Sequence, residues 1–170
     1  MTTPTVPTHR IATLSTEAGE PWWWFGGLAL IKIAGNQTGG RYSLIEMLWP
    51  SNLEVPLHVH TRENELFYVL EGKIAYRVGD VRADVSAGNT VFAPRNIPHG
   101  FIVTSAEPAR YLIVYSPSGF EGFIRDTSTP AQDLVLPPPA TPPTPAQIEA
   151  LGTMMQDRYG CYWAGDYRSK

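Results

Sequence analysis

A chain of 170 residues, 43% hydrophobic and 17% charged, has the size and balance of one folded domain with a real core. Its net charge of −3 gives no electrostatic case for binding nucleic acid or an anionic membrane, and no apolar run approaches membrane-spanning length. The single cysteine, Cys161, excludes an internal disulfide and favours a reducing, cytoplasmic setting.

Residues 1–20 read as a polar leader containing Pro4, Pro7 and His9, without the basic start and apolar stretch of a secretory signal. Residues 21–126 read as the body of the domain. Gly and Pro recur there at short intervals between segments rich in Val, Ile, Tyr, Phe and Trp, the pattern of many short antiparallel strands. Strands are predicted at Trp22–Phe25, Leu28–Ala34, Arg41–Leu48, Leu57–His60, Glu65–Leu70, Ile74–Val78, Arg82–Val85, Thr90–Ala93, His99–Val103 and Arg110–Tyr115. Turn signals such as Gly39-Gly40, Glu71-Gly72, Gly79-Asp80 and Ala87-Gly88 separate them. So many short strands predict an all-β sandwich or closed barrel. Alternation puts two of Trp22, Trp23, Trp24 and Phe25 on each side of their strand. One pair is expected on the core, the other over a dimer surface or a cavity mouth.

The pattern changes after Tyr115. Gly119–Arg125 predicts a short helix with Phe120, Phe123 and Ile124 on one side. Residues 127–145 form a Pro-rich linker, expected to lack regular structure. Thr144 and Pro145 then read as the cap and first residue of a helix reaching about Arg158 and stopped by Gly160. Ile148, Leu151, Met155 and Tyr159 are expected to face inward. Cys161-Tyr162-Trp163 is apolar enough to dock, so residues 146–170 read as a helix and tail packed on the body.

Two of the four histidines lie in His58-Val59-His60, a carboxylate follows at Glu65, and His99 stands after Pro98. Residues two apart on a strand share a face, so His58 and His60 point the same way. Glu65 shares a face with Phe67 and Val69 and reaches the same interior if its strand pairs with that of His58. Glu63 is expected in the bend, turned to solvent, or at most behind the ligands. Three imidazoles and one carboxylate suit a single divalent transition metal: Fe, Mn, Ni, Co, Cu or Zn. Phe67, Val69, Phe101 and Val103 share parity with those ligands, and with Tyr76 they are the expected lining of a substrate pocket.

His58-Val59-His60, Glu65 and Gly72 resemble the first motif of the cupins. Gly88, Pro94 and Pro98-His99 resemble the second. Across Leu57–Val103 the chain is similar to single-domain cupins of the quercetin dioxygenase-like group. Two positions depart from the pattern. Asn96 stands where Gly is usual, and Asn tolerates left-handed backbone angles. Val103 replaces a frequent Asn. The resemblance implies a cupin-type jelly-roll β-barrel, here with a short C-terminal helical extension. It implies one metal held by His58, His60, Glu65 and His99 with positions left open, and Glu65 as candidate general base. The implied activity is a metal-dependent dioxygenase acting on a hydrophobic enolisable or flavonol-like small molecule. A redox-neutral isomerase, cyclase or lyase is the alternative, and a non-catalytic small-molecule binder the second. A homodimer is expected by analogy, with neither nucleic acid nor membrane as partner.

Overall fold

The computed structural model describes residues 18–139 and 141–168, so almost all of the leader expected over residues 1–20 lies outside them. In chain order the elements are β1 (Glu20–Trp24), β2 (Gly27–Ile33), the single-turn α1 (Gly35–Thr38), β3 (Ser43–Trp49), β4 (Glu54–His60), β5 (Asn64–Glu71), β6 (Lys73–Val78), β7 (Val81–Ser86), β8 (Thr90–Ala93), β9 (His99–Val103), β10 (Ala109–Ser116), α2 (Glu121–Thr127), β11 (Thr129–Pro130), α3 (Pro145–Tyr159) and β12 (Cys161–Gly165).

Two antiparallel sheets face each other across one core. The first has the order β11-β1-β2-β3-β10-β5-β8 and the second β12-β4-β9-β6-β7. The architecture is a mostly-β jelly roll with few short helices. Strict alternation builds its interior. On β3, Ser43, Ile45, Met47 and Trp49 are buried, and on β10, Ala109, Tyr111, Ile113 and Tyr115 are buried while their neighbours are not. β5 does the same with Glu65, Phe67 and Val69 inside and Leu66, Tyr68 and Leu70 outside.

The pairing of β5 differs from the sequence-based expectation. β5 lies between β10 and β8, whereas β4 lies between β12 and β9 in the opposite sheet. Glu65 therefore reaches the histidines across the core and not along a shared ladder. The alternation is blind to this, because it fixes a face and not a neighbour.

β4 and β9 are joined irregularly. Their register shifts between Val55 and His58, where Pro56 removes a donor from the ladder. Gly100 allows the close approach, since a Cβ there would stand 2.7 Å from the Val55 carbonyl oxygen. Beyond the shift, His58 pairs directly with His99.

The N-terminal aromatics sort by side. Trp24 is buried and Trp22 packs against the core, while Trp23 Nε1 donates to the Val135 carbonyl at 2.9 Å. Phe25, at φ 47°, ends the strand and is exposed. The Pro-rich passage is not wholly irregular, as expected from its composition. Thr129 and Pro130 pair with Trp23 and Trp22 of β1, since an edge strand tolerates a proline.

α3 begins as predicted. The Thr144 hydroxyl accepts from Gln147 N–H, and Gln147 Oε1 accepts from Thr144 N–H at 2.8 Å. Gly160 ends the helix at φ 63°. Met155 is buried and Leu151 and Tyr159 pack partly against the core, whereas Ile148 stays 48% exposed. Beyond the helix the tail forms a full strand, β12, on the edge of β4.

Candidate metal centre and the adjoining cavity

His58 and His60 come from β4, His99 from the start of β9 and Glu65 from β5 of the opposite sheet. One ligand atom of each lies within 4.8 Å of all the others. Glu65 Oε1 is 2.8 Å from His60 Nε2, and Glu65 Oε2 is 3.2 Å from His99 Nε2. The imidazoles of His60 and His99 and the Glu65 carboxylate are buried, and His58 keeps partial exposure.

The outward ring nitrogens are tethered. His58 Nδ1 lies 2.9 Å from the Pro56 carbonyl and His99 Nδ1 2.9 Å from the Ile97 carbonyl, so both must donate. His60 Nδ1 lies 3.3 Å from Glu63 Oε2. These contacts leave the Nε2 lone pairs of His58 and His99 facing the cluster, which is the tautomer a metal needs. His60 Nε2 and Glu65 Oε1, though close, lack hydrogen-bond geometry and are buried without a partner. Two buried polar atoms 2.8 Å apart with no aligned hydrogen bond between them are atoms that one cation could satisfy together. The donor set and these orphans fit a divalent transition metal.

Without a cation the cluster carries its own charge balance, and a metal would have to displace the proton held between His60 and Glu65. Burial, helped by the neighbouring His99 and His60, pushes His58 from its ordinary value of 6.5 down to about 3, which keeps its lone pair free. Burial also opposes charge on His60, but the facing Glu65 outweighs it and holds the imidazole well above its ordinary range. Glu65 is held well below the usual carboxylate range, because His60 and His99 overcome the cost of its burial. Burial and then the Glu65 charge push the phenols of Tyr76, Tyr111 and Tyr115 well up, so all three stay protonated.

Of the two places expected for Glu63, solvent or behind the ligands, the structure shows the second. Glu63 is only 3% exposed and braces His60 from behind. The bend turns it inward, and local sequence carries no signal for that. Asn96 does adopt the left-handed angle, at φ 66°, and its N–H donates to the His60 carbonyl at 2.7 Å. Cys161 has no histidine near it in sequence, yet it pairs across the strands with His60. Its thiol is buried and burial pushes it up, which argues against a nucleophile.

A cavity of about 280 Å³ opens beside the cluster, and His58 and Glu65 form part of its wall. Of the residues expected to line a pocket, Phe67 and Phe101 do so. Val69, Tyr76 and Val103 are buried in the core cluster instead and do not border this cavity. They lie on the interior face, but other side chains fill the space before them. Trp49, Tyr111 and Tyr115 line the cavity and were missed. Alternation along the predicted strand Arg110–Tyr115 would have grouped Tyr111 and Tyr115, whereas Trp49 lay one residue beyond the predicted strand Arg41–Leu48 and falls inside the observed β3. Trp163, also missed, had no such signal.

Residues 44–115 match the family model described as Cupin domain. An uncharacterised protein of Methanocaldococcus jannaschii is 31% identical over 61 residues, covering 36% of this chain and 49% of that protein. The chain thus spans about half the length of the curated relative it matches. The polyketide cyclase RemF from Streptomyces resistomycificus is similar in fold with a TM-score of 0.55, at 22% identity over 64% of this chain and 81% of that one. An RmlC-like cupin from Shewanella frigidimarina gives a TM-score of 0.54, at 17% identity over 66% of this chain and 96% of that one. Residues 44–115 thus match a cupin domain, and these solved structures share the fold of the chain. Within it, the buried cluster of His58, His60, Glu65 and His99 fits a cupin metal site.

Proposed function

We propose that the chain is a metal-dependent enzyme of the dioxygenase type, acting on a hydrophobic enolisable or aromatic, flavonol-like small molecule. The observation that carries this reading is the position of the cavity. Its walls are mainly aromatic and aliphatic, and His58 and Glu65 supply polar groups from the cluster. A flat apolar molecule gains by leaving water for such a space, and its polar edge would meet those two side chains.

His58, His60, Glu65 and His99 would hold the cation. The metal would act as a Lewis acid, easing loss of a proton from an enol or catechol oxygen and so making the substrate electron-rich toward O2. Glu65, the carboxylate in the cavity wall, would accept that proton if it loosened its hold on the cation. Phe67, Phe101 and Tyr111 pack around the inner part of the cavity and keep water from it. Glu63 holds His60 in place through Nδ1.

The test is an oxygen electrode with protein loaded in turn with each candidate metal and offered a panel of flavonols and simpler enols. Oxygen uptake matched to substrate loss is expected, and Glu65→Gln should lower it by roughly 10²-fold or more while the fold is retained. Absence of uptake with every pairing sinks the dioxygenase reading. The likeness in fold to a polyketide cyclase favours a redox-neutral cyclase, isomerase or lyase as the second reading. Substrate conversion without oxygen consumption would select it.

A further inference from the structure

The barrel does not close its own cavity. Pro143, Ile148, Leu151, Met155 and Trp163, all from the C-terminal arm, complete the wall. Trp163 stands nearest to the polar groups. It pairs with His58 across β12 and β4, and the two rings lie 6.3 Å apart at 75°. It is also 39% exposed, whereas the core aromatics Trp24, Trp49, Phe67 and Phe101 are at 8% or less. Protein alone therefore leaves a large aromatic surface uncovered beside the cavity, next to the side chain that a ligand must reach.

Its seat is Gly152 on α3. A Cβ at that position would stand 3.5 Å from Trp163 Cδ1 and Nε1, in ordinary contact, so a branched longer side chain there crowds the indole. The arm around it is fastened. Thr61 N–H and Oγ1 both donate to the Gly160 carbonyl, at 2.9 and 2.7 Å. Arg62 Nη1 donates to the Arg158 carbonyl at 2.8 Å, and Arg158 pairs with Asp126 at 2.8 Å. These bonds fix the junction of α3 and β12. Beyond that junction Trp163 stands on a strand paired with β4, opposite His58.

We propose that Trp163, seated on Gly152, is a specificity-determining residue: a planar aromatic ligand that reaches His58 and Glu65 packs against its indole, and a saturated ligand of similar size does not gain that contact. The inference rests on the small-molecule reading above and names the class of ligand the site prefers. Its warrant is geometric. A rigid half-exposed indole beside a polar terminus rewards a flat π-surface through offset or edge stacking, which a puckered ring cannot supply.

The test uses the full chain, metal-loaded, with two probes of one skeleton: planar 2-naphthol and saturated decahydro-2-naphthol, titrated by calorimetry. Wild type should prefer the planar probe by about tenfold or more. Trp163→Ala should bring the two affinities within about twofold, and Trp163→Phe should keep most of the preference. Bound metal should be unchanged in both. Gly152→Leu, which crowds the indole without altering a cavity residue, should weaken 2-naphthol by about fivefold or more. The proposal is overturned if wild type shows no planar preference, if Trp163→Ala retains it, if Gly152→Leu binds 2-naphthol as wild type does, or if the preference is lost only together with the metal. Oxygen uptake is read separately. A planar preference that depends on Trp163 in a protein that consumes no oxygen retires the dioxygenase chemistry and leaves the wall in place.

Discussion

The metal cluster and the outer wall of the cavity lie side by side but are built in opposite ways. His58, His60 and His99 come from two neighbouring strands, and Glu65 faces them from the other sheet, so the geometry follows from barrel closure. The wall comes from Pro143, α3 and β12, outside the segment that matches the cupin model. The contrast teaches that the centre depends on closure of the barrel, whereas the wall is added by the C-terminal arm, which touches the centre only where β12 pairs with β4. On the proposed reading, the metal-holding residues and the selective wall lie in separate stretches of chain.

The strongest way to break that division is to empty the centre. Replacing His58, His60 and His99 together with Ala should remove nearly all bound metal, read by mass spectrometry on protein expressed without added metal. Stoichiometric metal in that variant would refute the site. Next in size is the brace behind it. Glu63→Ala should weaken metal affinity by roughly 10–100-fold, the usual effect of losing a partner behind a ligating histidine. Competition with a chelator measures this, and an unchanged affinity removes Glu63 from the site.

Cutting the wall away tests the other half of the comparison. Removal of residues 144–170 exposes the surfaces that Met155 and Cys161 cover. At roughly 1.5–3 kcal/mol for a buried side chain of that size and about 2–4 °C per kcal/mol, the melting temperature should fall by ~10 °C. An unchanged melting temperature would show that the arm is not docked.

A smaller effect should come from pH. His58 binds a proton below about 6.5 when unfolded but only below about 3 in the fold. The unfolded state therefore holds more protons between those values, and the metal-free protein should lose stability as pH falls through that window. In thermal melts, His58→Asn should flatten the slope over that range. A slope identical to wild type would mean that His58 is not held neutral. The smallest change concerns the seat of Trp163. Gly152→Ala places a methyl at ordinary contact distance, 3.5 Å, and should add about 0.5–1 kcal/mol through helix propensity alone. A loss of stability would show the seat to be tighter than this distance implies.

How much was legible varies with the range of the interaction. The parity of His58 and His60, and of Glu65 with Phe67 and Val69, could be read directly because a strand repeats every two residues. Thr144, Pro145 and Gly160 marked the ends of α3 because capping is a contact between near neighbours. The assignment of β5 to the opposite sheet was not legible, since alternation names a face and not a partner. Glu63 and Glu65 have the same chemistry two residues apart. Only the path of the bend turns Glu63 inward against His60. Val69 and Val103 carried the right parity for the cavity, yet neighbouring side chains fill that part of the interior.

The sequence by itself determined most of the strand pattern, the caps of α3 and the set of four candidate ligands, because each depends on residue chemistry and short spacings. Only the tertiary structure decided that the fourth candidate ligand comes from the facing sheet, that Glu63 stands behind the second histidine, and that a tryptophan about a hundred residues from His58 walls the cavity. Those facts depend on which surfaces meet when the chain closes on itself, and packing of that kind is a property of the whole fold.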